Sequence, residues 1–98
     1  MDQEILKKPL VIFSLTYCPW CKKAKTLLKP FKPAHLDIDT LSPGKLRATR
    51  KALKKRSGID TYPQIFYKGR FVGGYTTVAG KLRGSTQKKS LNRLLKTR

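Results

Sequence analysis

Two cysteines, Cys18 and Cys21, are the residues of this 98-residue sequence whose type and spacing point most directly to chemistry. They are separated by Pro19 and Trp20, and thiols at this spacing can exchange with disulfides or supply half of a zinc site. Zinc usually takes four ligands, whereas the chain has one further candidate, His35. We therefore predict redox chemistry and no bound metal, with a zinc site shared across a dimer as the less favoured alternative.

The elements predicted around the cysteines give them different roles. A strand is predicted before Cys18 and a helix after it, so this thiol would lie beside unpaired helix N–H groups that favour the thiolate. The thiolate is the attacking species in disulfide exchange, and we predict Cys18 as the nucleophile. Cys21, one turn into the helix, would then attack the mixed disulfide and release the reduced substrate. Pro19 in the first helical turn removes no hydrogen bond that the helix needs.

The first half of the chain predicts a strand, a helix and a second strand. Pro9 to Leu15 is an apolar run typical of a strand buried on both faces. Ala34 to Asp39 alternates between apolar and polar residues and predicts the second strand. The helix between them is predicted to stop near Pro30 and Pro33. Its inward face is predicted to hold Trp20, Ala24, Leu27, Leu28 and Phe31.

The second half of the chain predicts a longer helix and a hairpin. Ser42 as N-cap and Pro43 as first helical residue predict a helix to about Arg56, with Gly58 just past its end. The inward residues of this helix are predicted to be Leu46, Ala52 and Leu53. Two short strands then follow, Gln64 to Tyr67 and Arg70 to Val72, joined through Lys68-Gly69.

The chain is predicted to end in two helices. One covers Thr76 to Leu82, and the other begins after Ser85. The whole order predicts one α/β domain over residues 1–98, with a four-stranded mixed sheet and helices on both faces. That is the thioredoxin-like fold.

Two further motifs lie at the ends of predicted strands. Thr61-Tyr62-Pro63 precedes the third strand, and Gly73-Gly74 follows the fourth. Together with Tyr17-Cys18-Pro19-Trp20-Cys21, they resemble the motifs of glutaredoxins, which are usually CPYC, Thr-Val-Pro and a glycine pair. The resemblance extends from about Pro9 to Leu95. It implies a dithiol enzyme that reduces protein disulfides or glutathione-mixed disulfides, with glutathione as co-substrate.

The same resemblance implies roles for individual residues. Pro63 would be cis and face the dithiol, and the backbone of Tyr62 would pair with the cysteinyl part of glutathione. The glycine pair and the start of the following helix would seat the γ-glutamyl group. Arg50 falls where the family commonly places a Gln or Arg for the glycyl carboxylate. The complete implied substrate site is Tyr17, Pro19, Trp20, Arg50, Thr61, Tyr62, Pro63, Gly73, Gly74, Tyr75, Thr76 and Thr77.

Two positions depart from the usual family pattern. Thr77 stands where the family has an Asp that pairs with the amine of glutathione, and Leu15 stands where many members have a Lys. A hydroxyl interacts less strongly with a cation than a carboxylate does. A thioredoxin-like protein that is reduced without glutathione is therefore an alternative.

The charge of the chain is strongly unbalanced. Lys and Arg number 23 against five acids, which gives a net charge of +18, and no acid follows Asp60. Such a field attracts anions, and we predict acidic disulfide proteins as partners, with nonspecific nucleic acid as an accessory contact. A basic nucleic-acid-binding module with a structural CxxC is the alternative from another class. The sequence contains no recognition helix, zinc finger or aromatic stacking motif of that class.

The sequence also predicts where the protein resides. The longest apolar run, Leu10 to Leu15, is much shorter than the roughly 20 residues of a membrane-spanning helix. Asp2 and Glu4 precede that run, which is atypical of a secretory signal. We expect no membrane association, a cytoplasmic location and a monomer.

Overall fold

The structure is a computed structural model, and it describes residues 9–82. In this range the strands are β1 (Leu10–Ser14), β2 (Ala34–Asp37), β3 (Gln64–Tyr67) and β4 (Arg70–Gly73). The α-helices are α1 (Pro19–Leu28), α2 (Pro43–Ser57) and α3 (Tyr75–Leu82), and short 3₁₀ helices occupy Lys29–Phe31 and Ile38–Thr40. The helix predicted after Ser85 lies outside the described residues.

The strands form one mixed sheet in the order β2-β1-β3-β4. β1 pairs with β2 in parallel and with β3 antiparallel, and β3 and β4 form the antiparallel hairpin. β1 is buried along its whole length, as the continuous apolar run predicts. Lys68 and Gly69 both have positive φ, as the tightest hairpin turns require. The predicted four-stranded mixed sheet is confirmed.

Two apolar clusters place helices on both faces of the sheet. On one face, Ile12 of β1 packs with residues of α1 and α3, among them Leu28 and Val78. On the other face, Val11 and Phe13 pack with Leu53 of α2. Alternate side chains of β1 thus enter opposite clusters, which is the period of two expected of a strand. No helix within residues 9–82 has the length and apolar character needed to cross a membrane.

The inward face of α1 differs from the prediction at its first turn. Cys21, Ala24 and Leu28 are buried, whereas Trp20 is 49% exposed. The prediction of Trp20 as a core residue is wrong because the buried stripe of the helix passes through Cys21 instead, and the Trp20 ring contacts Tyr75 at the surface. Cys21 takes the buried position, three residues before Ala24 and seven before Leu28.

The second strand is shorter than predicted. It ends at Asp37, because Thr40 Oγ1 donates a hydrogen bond to the Asp37 carbonyl at 2.6 Å and the chain turns into the 3₁₀ helix. The Asp37 carboxylate accepts hydrogen bonds from Ser14 Oγ at 2.6 Å and Lys25 Nζ at 2.7 Å. Burial opposes ionisation, but these two donors outweigh it and hold the pKa of Asp37 below its ordinary value. The network ties β1, β2 and α1 together below the cysteines.

Helix α2 begins and ends as predicted, but its inner face and N-cap contacts differ. Gly58 has φ +80° and its N–H donates to Lys54 O at 2.7 Å, a left-handed C-cap. Ser42 is the N-cap residue, yet its side chain makes no capping hydrogen bond. Leu53 is buried and Leu46 packs, partly buried, against the same cluster, as predicted, while Thr49 is the other buried residue of the helix and Ala52 is partly exposed. A buried hydroxyl on a helix face is not visible in an apolar pattern.

Candidate active site

Cys18 is the N-cap residue of α1, at the point where the chain has left β1. Its Sγ accepts a hydrogen bond from the backbone N–H of Cys21 at 3.2 Å. Its own N–H donates to the carbonyl of Leu15 at 3.3 Å, and the side chain is partly exposed. A sulfur that faces the N–H groups at the positive end of a helix dipole is in the setting that stabilises a thiolate. The geometry matches the predicted role of an accessible nucleophile.

Cys21 lies one turn deeper and is fully buried. Burial, together with the hydrogen bond and the charge of the neighbouring Cys18 sulfur, raises the pKa of Cys21 to about 12. Cys21 is therefore a protonated thiol at neutral pH. The backbone N–H of Cys21 donates to Cys18 Sγ, so the two cysteines lie within one helical turn of each other. A resolving cysteine requires this proximity to the partly exposed sulfur of Cys18.

The loop before β3 carries Pro63 to the exposed sulfur. The Tyr62–Pro63 peptide bond is cis, as the family resemblance implies. The carbonyl oxygen of Tyr62 lies 3.7 Å from Cys18 Sγ, within reach of a weak hydrogen bond from the thiol. Gln64 fixes this loop from below, because its fully buried Nε2 donates to the carbonyls of Ile59 and Thr61, both at 3.1 Å.

The glycine pair lies against the same loop. A Cβ at Gly74 would lie 3.4 Å from the Pro63 carbonyl, so these backbones approach closely. Gly73 has φ +155°, and a Cβ there would come within 2.6 Å of the Thr77 side chain. Glycine is therefore required at residue 73 by both its backbone and its neighbour. The Val78 N–H donates to the Gly74 carbonyl at 3.1 Å, so Gly74 is the N-cap residue directly before α3.

An aromatic and basic rim surrounds the exposed sulfur. Tyr17 is 73% exposed beside Cys18, and the Trp20 ring lies 5.7 Å from that of Tyr75. The Lys23 ammonium lies 4.3 Å from the Trp20 ring, a cation–π contact. The sequence predicted Tyr17, Trp20 and Tyr75 at the substrate site and Lys23 as a nearby positive charge, but not the contact of Lys23 with the Trp20 ring. The spacing of three residues between Trp20 and Lys23 on a helix was the signal that could have found it.

Arg50 is held by a partner that the sequence did not predict. Its Nη2 donates to Asp60 Oδ2 at 3.0 Å, and its Nε donates to Oδ1 at 3.4 Å. The hydrogen bonds and charge of Asp60 raise the pKa of Arg50 further above its ordinary value. Tyr62 is near enough to interact electrostatically with Arg50. Arg50 thus lies near Tyr62, and its guanidinium is already paired with the carboxylate of Asp60.

The predicted site residues come from four segments of the chain: the Cys18 end of α1, Arg50 on α2, the Tyr62–Pro63 loop, and Gly73–Gly74 with the start of α3. The Cys18 end of α1, the Tyr62–Pro63 loop and the Gly73–Gly74 segment are in contact, as described above. Thr61 is exposed on the same loop, and Thr76 is exposed in the first turn of α3. Among residues 9–82, no group of three or more His, Cys, Asp or Glu side chains is placed to hold a metal ion. His35 is exposed on β2.

A family model described as Glutaredoxin matches residues 10–72. The chain belongs to the glutaredoxin family. Glutaredoxin-1 of Rhizophagus irregularis is 38% identical over 91 residues, which cover 90% of this chain and 88% of that relative. Glutaredoxin-C1 of Arabidopsis thaliana is 37% identical over 68 residues, which cover 67% of this chain and 53% of the relative. The chain thus spans about half the length of the second relative.

Solved glutaredoxin structures share the fold. The crystal structure of a buckwheat glutaredoxin–glutathione complex superposes with a TM-score of 0.76 at 30% identity, and the match covers 95% of this chain and 81% of that one. The predicted thioredoxin-like fold is therefore confirmed. Glutaredoxins are glutathione-dependent thiol–disulfide oxidoreductases, and thiol–disulfide exchange is the activity of this chain.

The unequal environments of the two cysteines predict selective alkylation. Iodoacetamide at pH 7 is expected to modify Cys18 roughly 100-fold or more faster than Cys21, because Cys21 is buried and its pKa is raised to about 12. Peptide mass spectrometry after short exposure measures the two rates. In denaturant both thiols are expected to react alike, which is the control. Equal modification in the folded protein would contradict the assignment.

Proposed function

We propose that this glutaredoxin reduces glutathione-mixed disulfides and protein disulfides, with Cys18 as the attacking sulfur and glutathione as the electron donor. The observation that carries the proposal is the position of Cys18 Sγ, which receives the Cys21 N–H at 3.2 Å and lies 3.7 Å from the Tyr62 carbonyl. The sulfur thus has a helix dipole behind it and a peptide backbone beside it that a substrate can pair with.

With a glutathionylated substrate, the Cys18 thiolate attacks the glutathione sulfur. The substrate sulfur leaves as a thiolate and takes up a proton, and glutathione remains bound to Cys18 as a mixed disulfide. The thiolate of a second glutathione then attacks the sulfur of the bound glutathione. Glutathione disulfide is released, and Cys18 leaves as a thiolate. Each step exchanges one S–S bond for another, so the second glutathione is the net reductant.

With a protein disulfide, Cys18 forms the mixed disulfide and Cys21 resolves it. The charge and hydrogen bond of the Cys18 sulfur both contribute to the high pKa of Cys21. When Cys18 is bound in a mixed disulfide, its negative charge is gone, so one cause that raises the pKa of Cys21 is removed, while burial, the largest cause, remains. Cys21 is therefore more readily deprotonated after Cys18 has reacted than before, which favours this order of the two steps.

We assign the glutathione site to the residues around the cis proline and the start of α3. The Tyr62 backbone pairs with the cysteinyl residue of glutathione. This pairing holds the glutathione sulfur next to Cys18 Sγ, with which it reacts. The backbone N–H groups in the first turn of α3 have no partner within the helix, and they suit the γ-glutamyl carboxylate. Thr77 offers a hydroxyl to the amine, and Arg50 offers its remaining guanidinium donors to the glycyl carboxylate.

Protein substrates of acidic character fit the surface beside Cys18. Lys22 and Lys23 line a groove with Tyr75 next to the dithiol helix. The net charge of +18 steers anionic partners to the protein, and it also favours an accessory contact with nucleic acid. We place the protein in the cytoplasm as a monomer, since a dithiol enzyme needs a reducing compartment.

Reduction without glutathione is the second candidate, and the ion pair between Arg50 and Asp60 favours it. A carboxylate already occupies two guanidinium donors of Arg50. Glutathione binding must share those donors or displace Asp60. The two candidates differ in the electron donor, so kinetics with glutathione can separate them.

Replacement of Arg50 tests the glutathione site. In Arg50→Ala, the KM for glutathione is expected to rise about tenfold, the loss of one charge-assisted hydrogen bond, with kcat little changed. Asp60→Asn, which removes the competing carboxylate, is expected to lower the KM. Turnover of a glutathionylated peptide at varied glutathione concentration measures both.

Arg47→Ala is the matched control, because Arg47 is an exposed arginine one turn earlier on α2. An unchanged KM in Arg50→Ala would remove Arg50 from the glutathione site. If the natural protein turns over with NADPH and a thioredoxin reductase but not with glutathione, the second candidate is correct.

A further inference from the structure

A cavity separate from the cysteines opens between α1 and the edge strand β2. Its volume is about 470 Å³, within the range of small-molecule sites. The second half of α1 and the turn after it form one wall, and β1 and β2 form the other. The lining residues are Ile12, Lys25, Lys29, Lys32, Pro33 and His35. None of them belongs to the site assigned to glutathione.

The charge of this cavity is positive and mostly uncompensated. Lys25 is paired with Asp37 at 2.7 Å, which offsets its charge. Lys29 and Lys32 have no ion pair among residues 9–82, where Asp37 and Asp60 pair with Lys25 and Arg50 and the carboxylate of Asp39, the third acid, accepts hydrogen bonds from Thr16. Two free ammonium groups beside an exposed imidazole provide several N–H donors to one anion. Phosphate oxygens are acceptors that can use several such donors at once.

The floor of the cavity is apolar. Ile12 is fully buried beneath it, and Pro33 forms part of its side. The aliphatic stems of the lysines extend the apolar surface toward the charged rim. His35 lies opposite Ile12 in the β1–β2 register, on the edge strand, with its side chain exposed. A flat ring can therefore lie against Pro33 and the lysine stems, above Ile12, while an attached anion reaches the rim.

We propose that this cavity binds a nucleotide, with the base against Pro33 and the lysine stems and the phosphate at Lys29 and Lys32. The ligand is either a free nucleotide or one unit of a single-stranded nucleic acid, since both present the same ring and phosphate. Lys29 directly follows α1 and lies 11 residues after Cys18, which corresponds to roughly 16 Å along the helix at the helical rise of about 1.5 Å per residue. Binding therefore does not block the sulfur that reacts with disulfides.

Calorimetric titration with ATP and with a short oligothymidylate tests the proposal on the full chain. The double variant Lys29→Gln/Lys32→Gln is expected to weaken binding at least tenfold. The matched control, Lys45→Gln/Lys55→Gln, removes the same charge from exposed positions of α2 on the other face of the sheet, and is expected to weaken binding less than twofold. Turnover of a small glutathione-mixed disulfide, unchanged in both variants, shows that each is folded.

The outcomes separate the sources and decide the proposal. ATP binding that depends on Lys29 and Lys32 supports a site for free nucleotides. Oligothymidylate binding with the same dependence, without ATP binding, supports the site as a contact for one unit of a strand. Equal losses of affinity in the two double variants would mean that the net charge of the protein alone attracts the probes. The cavity would then not be a nucleotide site. Absence of binding to both probes would also overturn the proposal, and it would leave the disulfide chemistry unaffected.

Discussion

Cys18→Ser is expected to abolish both reactions of this glutaredoxin. The rate of deglutathionylation should fall by roughly three orders of magnitude or more, as is typical when an enzyme loses its nucleophile. A serine hydroxyl is not ionised at neutral pH and cannot form the mixed disulfide through which electrons pass. The measurement is turnover of a glutathionylated peptide in the presence of glutathione.

This variant also has a favourable structural control. Cys18 is the N-cap residue of α1, and serine is among the preferred residues at that position. The free energy of unfolding in denaturant should therefore be unchanged or slightly increased. A folded Cys18→Ser protein that retained the activity of the natural protein would refute Cys18 as the nucleophile.

Cys21→Ser is expected to separate the two reactions. Reduction of an acidic protein disulfide should fall by about 100-fold or more, because an intramolecular thiol is lost from a favourable position. Deglutathionylation should stay within about threefold of the natural rate, because the second glutathione replaces the resolving thiol. Parallel assays with the two substrates give the ratio.

The buried environment of residue 21 decides how well the variant tolerates serine. Serine is close in size to cysteine, so packing changes little, but its hydroxyl at this fully buried position on α1 costs about 1–3 kcal/mol if it finds no hydrogen-bond partner. Thermal unfolding of the variant checks this point. An equal loss of both activities would show that Cys21 supports the site structurally, and a loss of neither would show that glutathione resolves every intermediate.

The sequence predicted the parts of the site that depend on local order along the chain. A cysteine between an apolar strand and a helix had to fall at the helix N-terminus, and the structure places Cys18 there as the N-cap. Gly58 and the Lys68-Gly69 turn were predicted for the same reason, since their backbone conformations are set by a few neighbouring residues.

Contacts between distant segments were not predicted. The pair of Arg50 and Asp60 joins α2 to the loop before Tyr62, and Gln64 holds the same loop through two carbonyls. Neither contact is marked in the sequence by a periodic pattern or by a motif.

The apolar spacing places Trp20 on the inward face of α1, but the buried stripe of the helix passes through Cys21, Ala24 and Leu28, next to Trp20. A cysteine in an apolar pattern does not show that it, and not the neighbouring tryptophan, occupies the buried position.

Trp20 is the single tryptophan of the chain, and in the sequence it lies between Cys18 and Cys21. Its indole is half exposed, with the Lys23 ammonium over the ring and Tyr75 at its side. We expect closing or opening of a bond between Cys18 and Cys21 to alter the surroundings of this ring, which is the only indole of the sequence. The emission of this intrinsic fluorophore is therefore expected to report the oxidation state of the protein, so that its titration against a redox buffer needs no added dye.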